Sequence, residues 1–333
     1  MAFDVLQRPS RYHFLESSHV PGAWVPYRSI GKVDIILGDP LLPHGCAPTV
    51  LSEFFQTRER EGRQVLGFST SEDLMHAAVA AGASATQLTA EPELDPTSWS
   101  PKGGSAKKLR QYVRRLRAQG YTVWALPPRT AVVPPEFREP AETLLAKWAT
   151  ALEDHAHILE LEPWLRAEEK RYFAVLDPHD CQRFLALLIA HPVYSRQGWH
   201  LCHIARAPDA PKGVTELVVT GAIEAFATEG VHYVTFGPCA VPRAQRFVGM
   251  NGVRRFLFRR IYRMVAKRGS YAERAEFYRK VQAEDWQPRF MFFYPPTALV
   301  RPLLALLQVT HVAEGADFAE TPATHPDTVG YQM

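Results

Sequence analysis

The sequence predicts an α+β protein of two domains. Three observations point there. A chain of 333 residues is too long for one ordinary hydrophobic core. Between residues 33 and 81, short apolar runs alternate with stretches of helical periodicity. Residues 199–238 read strand, loop, helix, strand and a Gly-Pro turn, the clearest topological signal in the chain. Hydrophobic residues at 46% and charged residues at 22% exclude a disordered or fibrous chain and agree with a globular one.

Residues 1–28 read as irregular, with Tyr12, Phe14, Trp24 and Tyr27 as anchors. Val33–Leu37 is a strand, closed by the turn residues Gly38, Asp39 and Pro40. Thr49–Glu61 is an amphipathic helix with Leu51, Phe54 and Phe55 inward, followed by a strand at Arg63–Phe68 and a helix at Ser71–Ala81 capped by Gly82. Glu91–Pro101 is proline-rich and strand-poor, which makes it a domain joint. The predicted domains are therefore residues 1–100 and 101–309. Residues 310–333 lack a core pattern and form a flexible tail.

The stretch Lys102–Trp124 organises the second part. Gly103 and Gly104 break the preceding chain and Ser105 stands where an N-cap would. Leu109, Tyr112, Val113 and Leu116 then form a buried face, and Lys107, Arg110, Arg114 and Arg117 an adjacent stripe. Gly120 ends the helix and Tyr121–Trp124 is the next strand. Lys102–Arg117 holds seven basic residues and no acidic one. Such an unmixed stripe, Lys108 included, is either a solvated face or a rail for phosphate groups. Beyond a proline-rich connection at 127–140 come a helix at Ala141–Ala151, a strand at Arg171–Leu176, an apolar segment at Cys181–Ile189 and a strand at Trp199–Ala205. A loop at 208–213 leads into the helix Val214–Glu229, and Val231–Phe236 is a strand. A last apolar helix covers Leu299–Val309.

The net charge of +3 hides a second basic zone, Arg243–Lys280, with twelve basic residues against Glu273 and Glu276. The remainder is acidic, and such polarity suits a polyanionic partner. Within that zone Phe247–Arg268 interleaves arginines with Phe256, Phe258, Arg259 and Tyr262. This composition fits tRNA phosphates, an anionic lipid surface with apolar insertion, or a core helix with snorkelling arginines. Four scattered cysteines without a CxxC pair suggest a reducing compartment. His44 lies near Cys46, His179 near Cys181, and His200 and His203 flank Cys202; zinc would need these pairs to converge, and no metal is assigned. The N-terminus shows no signal peptide, and the longest apolar runs are too short to span a bilayer, so a cytoplasmic protein meeting membranes from the surface is expected.

Five segments in fixed order carry a family resemblance: ILGDPLLP at 36–43, KKLRQYVRRLRAQGYTV at 107–123, PKGVTEL at 211–217, Gly-Pro at 237–238, and FYRKVQAEDWQPRFMFFYPP at 277–296. Together they resemble the soluble catalytic region of the phosphatidylglycerol lysyltransferases, a group that includes fungal ergosteryl aminoacyltransferases. The resemblance implies two tandem acetyltransferase-like (GNAT) domains, with mixed sheets flanked by helices. It also implies transfer of an aminoacyl group from aminoacyl-tRNA to a lipid hydroxyl, with no cofactor beyond the charged tRNA. Arg279, Lys280 and Arg289 match the family's charged C-terminal motif and are assigned to the tRNA acceptor end. Two departures stand out: the sequence carries no transmembrane flippase portion, and its turn reads FGPCAVP. A sterol acceptor is therefore expected slightly ahead of phosphatidylglycerol.

A coenzyme-A-dependent relative would need a Q/R-x-x-G-x-G/A loop whose amides hold a pyrophosphate at a helix N-terminus. Residues 206–213 do not fit it, and Arg246–Asn251 fits only in part. The rivals are thus a coenzyme-A-dependent N-acyltransferase and a non-catalytic RNA-binding module. For the transfer itself, Glu216 is the expected general base, with a helix-start carboxylate serving the dipole as the plainer role. Backbone amides near Gly237 and Cys239 are expected to hold the oxyanion. Cys239 as a nucleophile is unnecessary, and a buried thiol suffices.

Overall fold

The computed structural model describes residues 9–151, 162–240, 246–266, 271–283 and 285–311. In chain order the elements are β1 (His13–Glu16), β2 (Trp24–Ile30), β3 (Val33–Leu37), α1 (Ala47–Arg60), β4 (Gln64–Thr70), α2 (Glu72–Ala80) and β5 (Ser84–Leu94). Then follow α3 (Lys107–Ala118), β6 (Val123–Ala125), α4 (Pro135–Ala151), β7 (Arg171–Asp177), β8 (Asp180–Val193), β9 (Gly198–Arg206) and α5 (Val214–Thr228). The chain ends with β10 (Val234–Thr235), β11 (Cys239–Ala240), β12 (Phe247–Val248), α6 (Gly252–Ala266), α7 (Tyr271–Val281), β13 (Asp285–Tyr294) and α8 (Val300–His311).

One mixed sheet runs through the molecule in the order β1-β2-β3-β4-β13-β5-β10-β9-β8-β7-β6, with β11 and β12 also paired to β5. Helices cover both faces, and the period-2 alternation of strand side chains explains why. In β13, Phe290 and Phe292 join Phe54, Phe55 and Met75 of α1 and α2. The alternate residues Met291 and Phe293 face Phe258 of α6 and Leu299 and Leu303 at α8. In β7, Phe173 and Val175 pack on Leu109, Val113 and Leu116 of α3 and on α5. Tyr172 and Ala174 face Phe137, Leu144 and Leu145 of α4. Burying each such large apolar side chain contributes about 1.5–3 kcal/mol. Two parallel crossovers interrupt the antiparallel pairing: β3–α1–β4, in register from Val33 opposite Gln64, and β9–α5–β10.

Three expectations need correction. Residues 13–27 are not irregular, because β1 and β2 pair as a hairpin from His13 opposite Tyr27 to Glu16 opposite Trp24, and residues 1–8 lie outside the described residues. Pro26 obscured the strand, yet the β2–β3 pairing starts only at Arg28, so its missing N–H interrupts nothing there. Glu91–Pro101 is not strand-poor: β5 continues to Leu94 through Pro92 and is the hub to which β13, β10, β11 and β12 all pair. Residues far along the chain, β13 with α6 and α8, thus complete the core built around β3 and β4. Ser105 is not the cap of α3; Ala106 holds that place without a side-chain bond, and Ser105 Oγ accepts from Gln282 Nε2 at 3.1 Å. Of the expected tail, α8 reaches His311, and residues 312–333 lie outside the described residues.

A buried charge shows how the sheet tolerates polar residues. Asp34 in β3 has no exposed surface, and Arg63 grips it through Nε at 2.7 Å and Nη2 at 2.5 Å. Ser29 Oγ donates to it at 2.6 Å. The two-pronged guanidinium contact leaves few of its lone pairs unsatisfied.

Candidate active site

The site grows from the parallel pair β9 and β10. They pair only at Trp199 with Val234 and His200 with Thr235, after which β10 ends while β9 runs on to Arg206. The strands therefore part at their carboxyl ends, where α/β sheets bind ligands. Just past the parting lies Gly237 at φ +76°; a Cβ there would meet His200 Nε2 at 2.4 Å, so only glycine fits. Its N–H donates to Thr235 Oγ1 at 3.0 Å. Thr235 Oγ1 in turn donates to Glu91 Oε1 of β5 at 2.8 Å. The other oxygen of Glu91 accepts from Arg289 Nε of β13 at 2.6 Å. Four strands thus bring Glu91, Arg289, His200 and Thr235 to one point.

The charges of this cluster are set by its burial. Burial pushes the Glu91 carboxyl up, but Arg289, His200 and the Thr235 hydroxyl outweigh it and hold it below the ordinary carboxylate range. Burial pulls His200 down to about 4 against the opposing pull of Glu91, so its imidazole is neutral at pH 7. Two residues along β5, Glu93 accepts from Tyr233 Oη at 2.9 Å. Burial raises its carboxyl above the usual range, and the charge of Glu91 adds to this. One carboxylate pair with opposite shifts is a recurrent feature of reactive sites.

Glu216 sits in the first turn of α5, 7% exposed, with Lys280 Nζ of α7 3.6 Å from its Oε1. Lys280 lies over the Phe277 ring, and Phe236 packs on Phe277 and Tyr278, so Glu216 shares its surroundings with the residue before Gly237. Gly213 opens α5 at φ +98°, and a Cβ there would strike Tyr112 Cβ at 2.4 Å. The Pro-Lys-Gly loop is thereby pressed against α3. Cys239 is buried at the start of β11, opposite Ala90.

The basic residues divide. Lys107, Lys108, Arg110, Arg114 and Arg117 are all exposed along α3. Arg117 pairs with the exposed Glu224 at 2.5 Å, and Arg110 donates to the Pro101 carbonyl at 3.1 Å. Arg279 is exposed, whereas Lys280 and Arg289 turn inward to Glu216 and Glu91. Arg289 is therefore a half-buried member of the cluster. On α6 the expected lipid-facing set also splits. Phe256 is 63% exposed, while Phe258 is 2% exposed between Phe247, Tyr262 and Phe293. Phe258 is a core residue and no membrane contact, because the 3.6-residue period puts it opposite Phe256. Tyr262 is half-buried and donates to the Leu88 carbonyl at 3.3 Å, and Arg259 stacks over Phe247.

The family model described as phosphatidylglycerol lysyltransferase, C-terminal, matches residues 1–292. The chain belongs to this family. Its fold resembles that of L-PGS from Bacillus licheniformis at 17% identity and a TM-score of 0.73, covering 90% of this chain and 88% of that one. It also resembles the C-terminal domain of a putative lysylphosphatidylglycerol synthetase from Agrobacterium fabrum, at 18% identity, a TM-score of 0.70 and coverage of 93% and 92%. FemX shares the fold more distantly, at 10% identity, a TM-score of 0.54 and coverage of 92% and 94%. No curated protein matches the sequence. Large mixed sheets flanked by helices are thus common to this phosphatidylglycerol lysyltransferase-type chain and its structural neighbours.

Sequence reasoning missed Glu91, Glu93 and Thr235, and noted His200 only as a neighbour of Cys202. A signal existed for two of them: Glu91 and Glu93 alternate with period 2, as carboxylates on one strand face do. Pro92 between them hid it.

Proposed function

We propose that this protein transfers an aminoacyl group from aminoacyl-tRNA to the hydroxyl of a membrane lipid. Family membership supports the reaction class. Within the molecule, the observation that carries the reading is the half-buried Glu91–Arg289 pair, wired through Thr235 to the Gly237 amide where β9 and β10 part. Such a fixed polar array costs no reorganisation as charge develops. The lipid oxygen attacks the ester carbonyl, the oxyanion forms beside the turn that follows Gly237, and the tRNA 3′ oxygen leaves with a proton. Glu216 is the proposed acceptor of the hydroxyl proton. It and Lys280 lie in two of the family-like segments and are paired with each other. The aminoacyl ester is already activated, so positioning supplies much of the remaining rate.

The exposed arginines and lysines of α3 suit the tRNA backbone. The lipid suits another face. Val253, Phe256 and Leu257 project from α6, Val300 and Leu304 from α8, and both helices cover the same side of the sheet. Exposed Arg255, Arg259, Arg260, Arg263 and Arg301 accompany them. Apolar insertion with flanking cations fits an anionic membrane surface. Among the described residues no helix is long and apolar enough to cross a membrane. The family name favours phosphatidylglycerol as acceptor; the expectation of a sterol gains no support from the relatives. One crossover in each half of the sheet supports reading the chain as tandem acetyltransferase-like units, with β13, α6 and α8 returning to complete the first.

The test is incubation with charged total tRNA and vesicles containing phosphatidylglycerol or ergosterol, followed by mass spectrometry of the lipids. Aminoacylated lipid that disappears with ribonuclease and is indifferent to acetyl-coenzyme A is the expected result. Product that survives ribonuclease and requires coenzyme A would make the protein an ordinary acyltransferase. RNA binding without any lipid product would make it a binding module.

A further inference from the structure

A second cluster, on β8 and β9, serves no step of the proposed transfer. Across these strands His203 lies opposite Ile189 and Leu201 opposite Ala190, so Cys202 is an extra residue without a partner in the register. Such a bulge turns two consecutive side chains toward the same side, which a regular strand forbids. His191 follows Ile189 by two residues and therefore shares its face, the face of His203. The outcome is a convergence of three donors. The His191 and His203 rings meet edge to face at 5.5 Å, and Cys202 Sγ is 3.5 Å from His203 Nε2. One ligand atom from each of the three lies within 4.8 Å of the others.

We infer that His191, Cys202 and His203 form a binding site for a single Zn²⁺ ion. Two imidazoles and a thiolate are a donor set for zinc rather than for magnesium or calcium, which take oxygen ligands. Metal–ligand bonds of about 2.0–2.3 Å imply donor separations of about 3.3–3.8 Å in a tetrahedron. The Cys202–His203 pair already meets this at 3.5 Å, and the His191 donor stands within 4.8 Å of both. His203 is 7% exposed, and His191 and Cys202 are half-buried, so the backbone holds the frame while one side stays accessible. Three protein ligands leave the fourth position open to water or a further ligand, as in zinc sites that are not purely structural. On binding, the Cys202 thiol gives its proton to solvent as the metal–sulfur bond forms, so one proton is released per ion. His191 stands directly opposite His200 in the register, which places this site next to the cluster at Gly237. The inference does not depend on the aminoacyl-transfer reading.

Zinc chloride alone is the probe, added to the intact protein after stripping with a chelator. Competition with a chromogenic chelator should show one tightly held equivalent. Cobalt substitution should give the visible bands of a tetrahedral site together with thiolate-to-metal charge transfer. Cys202→Ser should remove the charge-transfer band, and His203→Asn or His191→Asn should weaken zinc by at least about tenfold. Cys46→Ser, at a thiol outside the cluster, should change neither. Circular dichroism of each variant separates loss of the site from loss of the fold, and the unmodified protein's cobalt spectrum is independent of any variant. Failure of the unmodified protein to retain zinc against the chelator, or retention equal in folded Cys202→Ser, would overturn the inference.

Discussion

Glu216 and Glu93 are both buried carboxylates near the parting of β9 and β10, but their surroundings differ. Glu216 has an ammonium beside it, whereas burial raises the carboxyl of Glu93. General-base help is worth about a hundred- to ten-thousand-fold in rate. Glu216→Gln should therefore lower kcat within that range while tRNA and lipid still bind, and Glu93→Gln should cost less. Steady-state kinetics of the two variants decide the matter, since near-normal turnover in Glu216→Gln would leave that residue a helix-start carboxylate. Another carboxylate ties stability to pH. Partial burial pushes Glu53 up, but hydrogen bonds from Ser17 and Ser18 outweigh it and bring it down to about 2. Its folded value lies below its ordinary 4.5, so its contribution is present above about pH 4.5 and lost as the pH falls toward 2. Acid-unfolding curves of Glu53→Gln should lack the part of the slope between those values that the unmodified protein shows.

The two faces of α6 make opposite predictions. Phe258 fills the space between Phe247, Tyr262 and Phe293, so Phe258→Ala should lower unfolding stability by about 3–5 kcal/mol in denaturant titration. Phe256 projects outward, so Phe256→Asp should leave stability within about 0.5 kcal/mol and reduce co-sedimentation with anionic vesicles. Equal vesicle binding in Phe256→Asp would remove α6 from the lipid-facing surface. Helix α3 has the same two-sided character. Its apolar face is fixed by Leu109, Val113 and Leu116 against the sheet, which leaves its cations on the outside.

Charge is segregated across the whole molecule. Replacing Arg110, Arg114 and Arg117 together with glutamate removes three exposed cations and breaks only the exposed pair to Glu224 and one hydrogen bond to a carbonyl. The fold should persist, because an exposed pair contributes little. Affinity for tRNA should collapse, and in a milder Arg→Gln triple variant the log–log salt slope should shrink by roughly 0.7–0.9 for each phosphate no longer neutralised. Unchanged affinity at moderate salt would dismiss the phosphate rail.

By itself the sequence determined the local elements with strong periodicity. Helices α3, α5 and α8 and strand β3 lie where spacing puts them, because apolar residues three and four apart, or alternating, can be buried in only one way. It also marked both basic zones and the segments that place the chain in its family. Tertiary structure alone decided the rest. Pro92 concealed β5, whose role as hub comes from pairing with strands up to about 200 residues away in the sequence. The Glu91–Arg289 pair joins residues 198 positions apart, and the His191–Cys202–His203 cluster exists because a bulge shifts one residue of β9. Phe258 and Phe256 share a composition that cannot say which of them faces the core. Local spacing encodes which face of an element is buried, but contacts across a sheet depend on strand order and register, and these emerge only when the whole core packs.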